Sequence, residues 1–372
     1  MDYTVRYEEL VSLFNPELPE IYVPGSGIKI FSTDFYSDTV SGDLFSGYDY
    51  SIKENIKFSY PVFVPADPGS EKAIILLHGL NERSWNKYLT WAYYLATETG
   101  SYVLLFPISF HINRSPVSWR DPRSMLGFLR ELTASRGNVK NSSFANVALS
   151  NRLSDDPRRF VKSGFQTACD LVKLMQQIKQ GEHRVVPPGS RVNLFAYSIG
   201  AFLAEIMMMA NPEGLFSDSK LFMFCGGSVF SSMYGESKLI MDKLAYEKVY
   251  NYYMKEFEPE LENNETVINY LASGNIGMAF RAMIDLARFR VERRAGFYRM
   301  KDQLYAIGMV KDSVIPVSGI KSTLDPGSNF DILDFPYGYS HENPFPVIKG
   351  YMSSRVDRSF DLVFEKACRF LA

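Results

Sequence analysis

Val192-Asn193-Leu194-Phe195-Ala196-Tyr197-Ser198-Ile199-Gly200-Ala201 is the stretch whose reading decides the fold. Its first half is a short apolar run, as in a strand covered on both faces. Beyond it Phe202, Leu203, Ile206 and Ala210 recur at helical spacing until Asn211-Pro212 stops the pattern. One serine stands between strand and helix, with Ala196 two residues before it and Gly200 two after. So tight a turn brings the two backbones almost into contact, so the ±2 neighbours must be small, and it forces the serine into strained torsions. It also holds Oγ at the sheet's edge and leaves the Ile199 N–H unpaired at a helix N-terminus, aimed at developing negative charge. The same residues would also suit a helix N-cap serine in any α/β protein.

The rest of the chain fits around this element. Ala73–Leu77, Tyr102–Phe106, Leu221–Cys225, Gln303–Met309 and Asn329–Phe335 are further short apolar runs. Helical patterns alternate with them: Trp85, Tyr88, Leu89, Ala92 and Leu95; Phe165, Ala168, Val172 and Met175; and a C-terminal helix over Arg358–Phe370. This alternation predicts a mostly parallel sheet with helices on both faces. Upstream, a short helix is expected over Tyr7–Phe14 and an extended arm over the rest of residues 1–41. Period-two alternation from about Gly42 to Val64 predicts an antiparallel hairpin at a sheet edge, followed by a loop over Pro65–Ser70.

Two segments break the rhythm, and both begin at the C-terminal ends of strands, where an open α/β sheet has its ligand crevice. Residues 108–159 read as a long polar, Arg-rich loop insertion. Residues 228–300 read as helical, with Tyr246, Val249, Tyr250 and Tyr253 on one face and Phe280, Met283, Ile284 and Ala287 on another, around the acid-rich Glu256–Glu265. The expected organisation is therefore an arm (1–41), a core (42–227 and 301–372) and an inserted helical lid (228–300).

The serine turn resembles the nucleophile elbow of the α/β-hydrolase superfamily, with Ala196 where that family usually has Gly. The strand running into His78-Gly79 resembles the family's third strand, which implies that the N–H groups of Leu80 and Ile199 form an oxyanion hole. It also implies a supporting role for His78 rather than a chemical one. A nucleophilic serine needs a base, and the chain has four histidines. His183 precedes the elbow strand and so lies at its wrong end. His341 follows the last apolar run and precedes the final helix, where the resembled family places its general base. His111 is the rival; with Arg114 and Trp119 it is a candidate for substrate binding. The family order Ser, acid, His points to Asp312, in Val310-Lys311-Asp312-Ser313-Val314-Ile315-Pro316, over Asp331 and Asp334.

Bulk properties narrow the partners. The formal net charge of −2 gives no field for nucleic acid or an anionic membrane. No run approaches the ~18 apolar residues of a membrane span. The first residues hold acids and no basic segment before an apolar run, so a cytoplasmic protein is expected. Cys169, Cys225 and Cys368 are odd in number and far apart, which suits buried thiols rather than a disulfide framework or metal knuckle. Neither a metal site nor a cofactor loop is evident. The resemblance implies a serine hydrolase cleaving a carboxylic ester of a small or apolar substrate. A thioesterase, peptidase or acyltransferase would use the same residues, and the fold also serves lyases and non-hydrolytic binding proteins.

Overall fold

All six apolar runs are strands, and all six pair in parallel. A computed structural model describes residues 1–38, 47–67, 69–263, 274–324 and 326–372. Among the described residues nine strands form one sheet: β1 (Glu20–Tyr22), β2 (Lys29–Tyr36), β3 (Lys57–Val64), β4 (Lys72–Leu77), β5 (Tyr102–Phe106), β6 (Arg191–Tyr197), β7 (Leu221–Phe224), β8 (Leu304–Met309) and β9 (Asn329–Leu333). Their order is β1-β2-β3-β5-β4-β6-β7-β8-β9. β1, β2, β3 and β5 meet antiparallel, and every pairing from β5 to β9 is parallel. This mostly parallel sheet, with β4 inside β5 and an antiparallel entry, is the α/β-hydrolase arrangement.

Burial on both faces explains why these strands are apolar throughout rather than alternating. Ile75, Leu77, Leu104, Phe106, Leu194 and Ala196 belong to one core. Their immediate neighbours Ile74, Leu76, Val103, Leu105, Phe195 and Tyr197 belong to the other. Helices Arg159–Gln180 and Ile199–Ala210 cover the first face, through residues such as Leu171, Leu174, Ala204 and Met207. Helices Asn86–Thr99 and Ser353–Leu371 cover the second, with Trp91 against Phe195, Tyr197 and Phe364. At about 25 cal/mol per Å² of apolar surface, two such cores supply the main drive to fold.

The N-terminal region departs from the expected arm. Its helix is Tyr3–Leu13, capped by Asp2, and it packs on helices Asn86–Thr99 and Ser353–Leu371. The Met1 amine meets Asp361 at 2.9 Å. Residues beyond it add β1 and β2 to the sheet. β2, from Lys29↔Val64 to Tyr36↔Lys57, is the partner of β3. The expected hairpin is therefore corrected: Gly47–Tyr50 is a helical turn and Lys53–Asn55 a 3-10 turn, while residues 39–46 lie outside the described residues. Alternation signals a strand without naming its partner, and here the partner lies some twenty residues away along the chain.

Residues 108–159 are also corrected, from loop to helix. Asp121 accepts from the Ser124 N–H and Pro122 begins helix Pro122–Arg136, which buries only Met125 and so reads as polar in sequence. Helix Val147–Asp155 follows. The second segment contains helices Lys243–Asn251, Phe257–Asn263, Asn275–Ala282 and Arg290–Arg299, with the latter part of Glu256–Glu265 outside the described residues. Phe280 sits edge-on to Phe202 of the elbow helix at 6.1 Å. Among the described residues no helix is long and apolar enough to cross a membrane.

Candidate active site

Ser198 occupies the turn between β6 and helix Ile199–Ala210 with φ 57° and ψ −123°, torsions that L-residues rarely adopt. Packing against β4 imposes this geometry. A Cβ on Gly200 would lie 2.7 Å from the carbonyl oxygens of Leu77 and His78, so only glycine fits there. The Ser198 side chain does not cap its helix, which sets aside the N-cap reading. Its Oγ instead lies 2.7 Å from His341 Nε2.

His341 sits on the loop after β9, and two contacts with Tyr197 fix it. The Tyr197 hydroxyl donates to the His341 carbonyl, and the rings stack at 5.5 Å and 20°. His341 Nδ1 meets Asp312 Oδ2 at 2.7 Å, and the second carboxylate oxygen accepts the N–H groups of Val314 (2.9 Å) and Ile315 (2.8 Å). Asp312 follows β8. Three strand ends thus deliver Ser198, Asp312 and His341 to one buried point, all of them about 5% exposed or less.

The N–H groups of Leu80 and Ile199 have no acceptor among the described residues. His78 is fully buried. Its Nδ1 lies 2.7 Å from the Gly79 carbonyl, and its Nε2 accepts the Ile108 N–H at 2.9 Å. Burial pushes its pKa down to about 3, so it is a neutral brace for the loop that carries Leu80. Sequence reasoning missed Cys225, whose donor atom lies with those of Asp312 and His341 inside a 4.8 Å span. That trio suits a metal poorly: burial holds the thiol well above its usual range, hence protonated, and Asp312 already engages His341.

The three candidate substrate contacts separate. His111 lines an apolar cavity beside Leu80 and Ile199; burial and the neighbouring His78 push its pKa down to about 3, and its Nε2 has no partner among the described residues. Arg114 is corrected. It is fully buried, pairs with Asp170 at 2.8 Å, donates to the carbonyls of Pro107 and Asn55, and lies over the Phe58 ring at 4.2 Å. Asp170, on helix Arg159–Gln180, neutralises it, a partner that no local pattern announces. Trp119 lies under the Arg152 guanidinium at 4.7 Å, and the two clefts that Ser198 borders do not include it. His183 bonds the Tyr60 hydroxyl at 2.8 Å, away from Ser198 as expected.

Glu205, on the elbow helix, is fully buried, and neither carboxylate oxygen has a partner among the described residues. Burial raises its pKa well above the carboxylate range. A raised folded pKa means full stability below the unfolded value, near pH 4.3, and a loss as pH climbs toward the folded one. Glu205→Met removes this loss and the unpaired group. The variant is expected to be more stable by about 1–3 kcal/mol at pH 7. Thermal unfolding at pH 4 and pH 8 checks the sign: the gap widens with pH, and a pH-independent gap contradicts it.

A family model described as a family of unknown function (DUF6051) matches residues 40–372. No curated protein matches the sequence. Solved structures with a similar course include acetyl xylan esterase 1 from Thermoanaerobacterium sp., 16% identical with TM-score 0.44, covering 98% of this chain and 92% of that one. A peroxisomal α/β-hydrolase from Saccharomyces cerevisiae is 13% identical with TM-score 0.44, over 92% and 90% of the two chains. A thermostable esterase from Pseudomonas putida is 10% identical with TM-score 0.41, over 99% and 86%. At such identities and TM-scores the likeness carries no argument, and the fold rests on the sheet order. The chain, built on the α/β-hydrolase fold, belongs to the DUF6051 family.

Proposed function

We propose that the protein is a serine hydrolase that cleaves a carboxylic ester through an acyl-enzyme on Ser198. One observation carries this reading: Oγ of Ser198, the imidazole of His341 and the carboxylate of Asp312 form an unbroken series with two 2.7 Å links. His341 Nε2 takes the Ser198 proton as Oγ attacks the carbonyl carbon. Asp312 holds the tautomer with Nδ1 protonated and stabilises the imidazolium. The unpaired N–H groups of Leu80 and Ile199 receive the oxyanion, which a fixed donor pair in a buried site stabilises strongly. His341 then protonates the departing oxygen. Water, deprotonated by the same imidazole, then attacks the acyl carbon, and His341 returns that proton to Oγ as the Oγ–acyl bond breaks and the acid leaves.

The described residues 228–263 and 274–300 serve as the lid over this site. Support comes from Phe230, Met241, Tyr246 and Val249, which share a cleft with Ser198 and Ile199. Esters, thioesters and amides of graded acyl length, offered to the wild type and to His341→Ala, test the reaction class. The expected result is ester turnover that the variant loses by several orders of magnitude. Equal turnover by both chains contradicts the proposal, and so does turnover of none of the substrates.

A further inference from the structure

Three clefts lie at or beside Ser198, two bordered by Ser198 itself and one by Leu80 and Ile199, and their chemistry differs. One runs from Leu80 and Ile199 past Phe160, Phe202, Ile206 and Phe280, and is apolar. A second leads from Ser198 and Ile199 to Phe230, Met241, Val249 and Ile315, and is apolar as well. The third, about 990 Å³ with its open mouth, is bordered by Ser198, His341, Arg83, Arg120, Phe144 and Glu342.

The reaction proposed above assigns these spaces. His341 must hand its proton to the leaving oxygen, so the leaving group lies in the cleft that His341 borders. Among the three only the third includes His341. The acyl group is left with the apolar clefts.

Arg83 and Arg120 distinguish the leaving-group cleft. Among the described residues neither guanidinium lies within 4.0 Å of a carboxylate or donates a hydrogen bond, and the Arg120 Nε is buried without a partner. Arg114, Arg158 and Arg281 by contrast each hold a carboxylate. The acids bordering the cleft are engaged elsewhere. Glu82 pairs with Lys87 at 2.5 Å and accepts from the Tyr88 hydroxyl; Glu342 accepts from the Ser237 hydroxyl at 2.6 Å. Burial lowers the pKa of both arginines, and the acids that oppose this, Glu82 for Arg83 and Glu54 and Glu17 for Arg120, form no ion pair with them. Two half-buried cations without an ion-paired carboxylate border one cleft, where a ligand's anionic oxygens would supply the missing charge.

Resting on the serine-hydrolase reading, we propose that the substrate is an ester with an apolar acyl group and an anionic oxygen group, carboxylate or phosphate, on its leaving-group side, held by Arg83 and Arg120. The butanoyl esters of 4-hydroxybenzoate, 4-hydroxyphenyl phosphate and the neutral 4-hydroxybenzamide test it. The wild type is expected to prefer at least one anionic ester over the amide in kcat/KM, with the preference falling as salt rises. Whichever anion is preferred identifies the group. In Arg83→Gln and Arg120→Gln the anionic-to-neutral ratio should fall by about 10- to 100-fold, mainly through KM, and the lysine variants should recover part of it. A wild-type ratio at or below one overturns the proposal, as does a ratio unchanged in both glutamine variants. Calorimetric titration of the three esters onto Ser198→Ala separates this claim from the hydrolase reading. Tighter anionic binding that Arg83→Gln weakens, in a protein whose wild type turns over no ester, supports the anion site and sinks the hydrolase. Turnover of all three esters without preference does the reverse.

Discussion

Replacing Ser198 with alanine is expected to lower ester turnover by about a million-fold, the loss that follows when a triad serine is removed from an otherwise intact site. The hydroxyl alone is too weak a nucleophile at neutral pH, and the His341 imidazole lies 2.7 Å away. On the proposed mechanism, removing Oγ leaves His341 without a proton to take, while the unpaired N–H groups of Leu80 and Ile199 and the clefts remain. A small residual rate from those groups is the expected remainder. A glycine variant supplies a control on the fold. Positive φ with extended ψ costs a serine about 1–3 kcal/mol, and alanine keeps that cost whereas glycine relieves it. Ser198→Gly should therefore be as inactive as Ser198→Ala and more stable in thermal unfolding. Equal stability of the two variants would count against strain at the turn.

Asp312→Asn is the second large effect, a loss of about 10⁴-fold in kcat. The local hydrogen bonds say why. Oδ1 of Asp312 accepts the Val314 and Ile315 N–H groups, so the asparagine oxygen must take that position and its NH₂ must face His341 Nδ1. Nδ1 then becomes an acceptor, and the proton moves to Nε2, which points an N–H at Ser198 in place of a lone pair. The base is lost although the shape is kept. Single-turnover kinetics with an activated ester reads the acylation step directly. An Asp312→Asn chain within tenfold of wild type would mean that Asp312 only holds the loop Lys311–Pro316.

Legibility in the sequence followed burial and distance along the chain. Strands buried on both faces, such as β4 and β6, are continuous apolar runs and could be read one by one. The turn at Ser198 was readable because steric contact with β4 dictates a small residue at position 200, a demand carried by neighbouring residues alone. His341 and Asp312 could be nominated from chain order, since each follows a strand that the apolar pattern exposes. Features that depend on a remote partner were not legible. β2 pairs with β3 across an intervening segment that itself alternates. Arg114 and Arg83 look alike in sequence, yet Asp170 neutralises the first and no carboxylate of the described residues reaches the second. Helix Pro122–Arg136 hid in a polar stretch because one buried residue gives no apolar stripe. Cys225 lies beside Asp312 only because β7 and β8 are neighbours, a fact of topology rather than of motif.

Chemical labelling tests the central claim most directly. A fluorophosphonate reacts with a serine only where a base activates it and an oxyanion site receives the phosphoryl oxygen. Intact-mass analysis of the wild type after incubation should show one adduct, mapped to the peptide that contains Ser198, and none on Ser198→Ala or His341→Ala. An unmodified wild type, or the same adduct on Ser198→Ala, would contradict the assignment of Ser198 as a nucleophile.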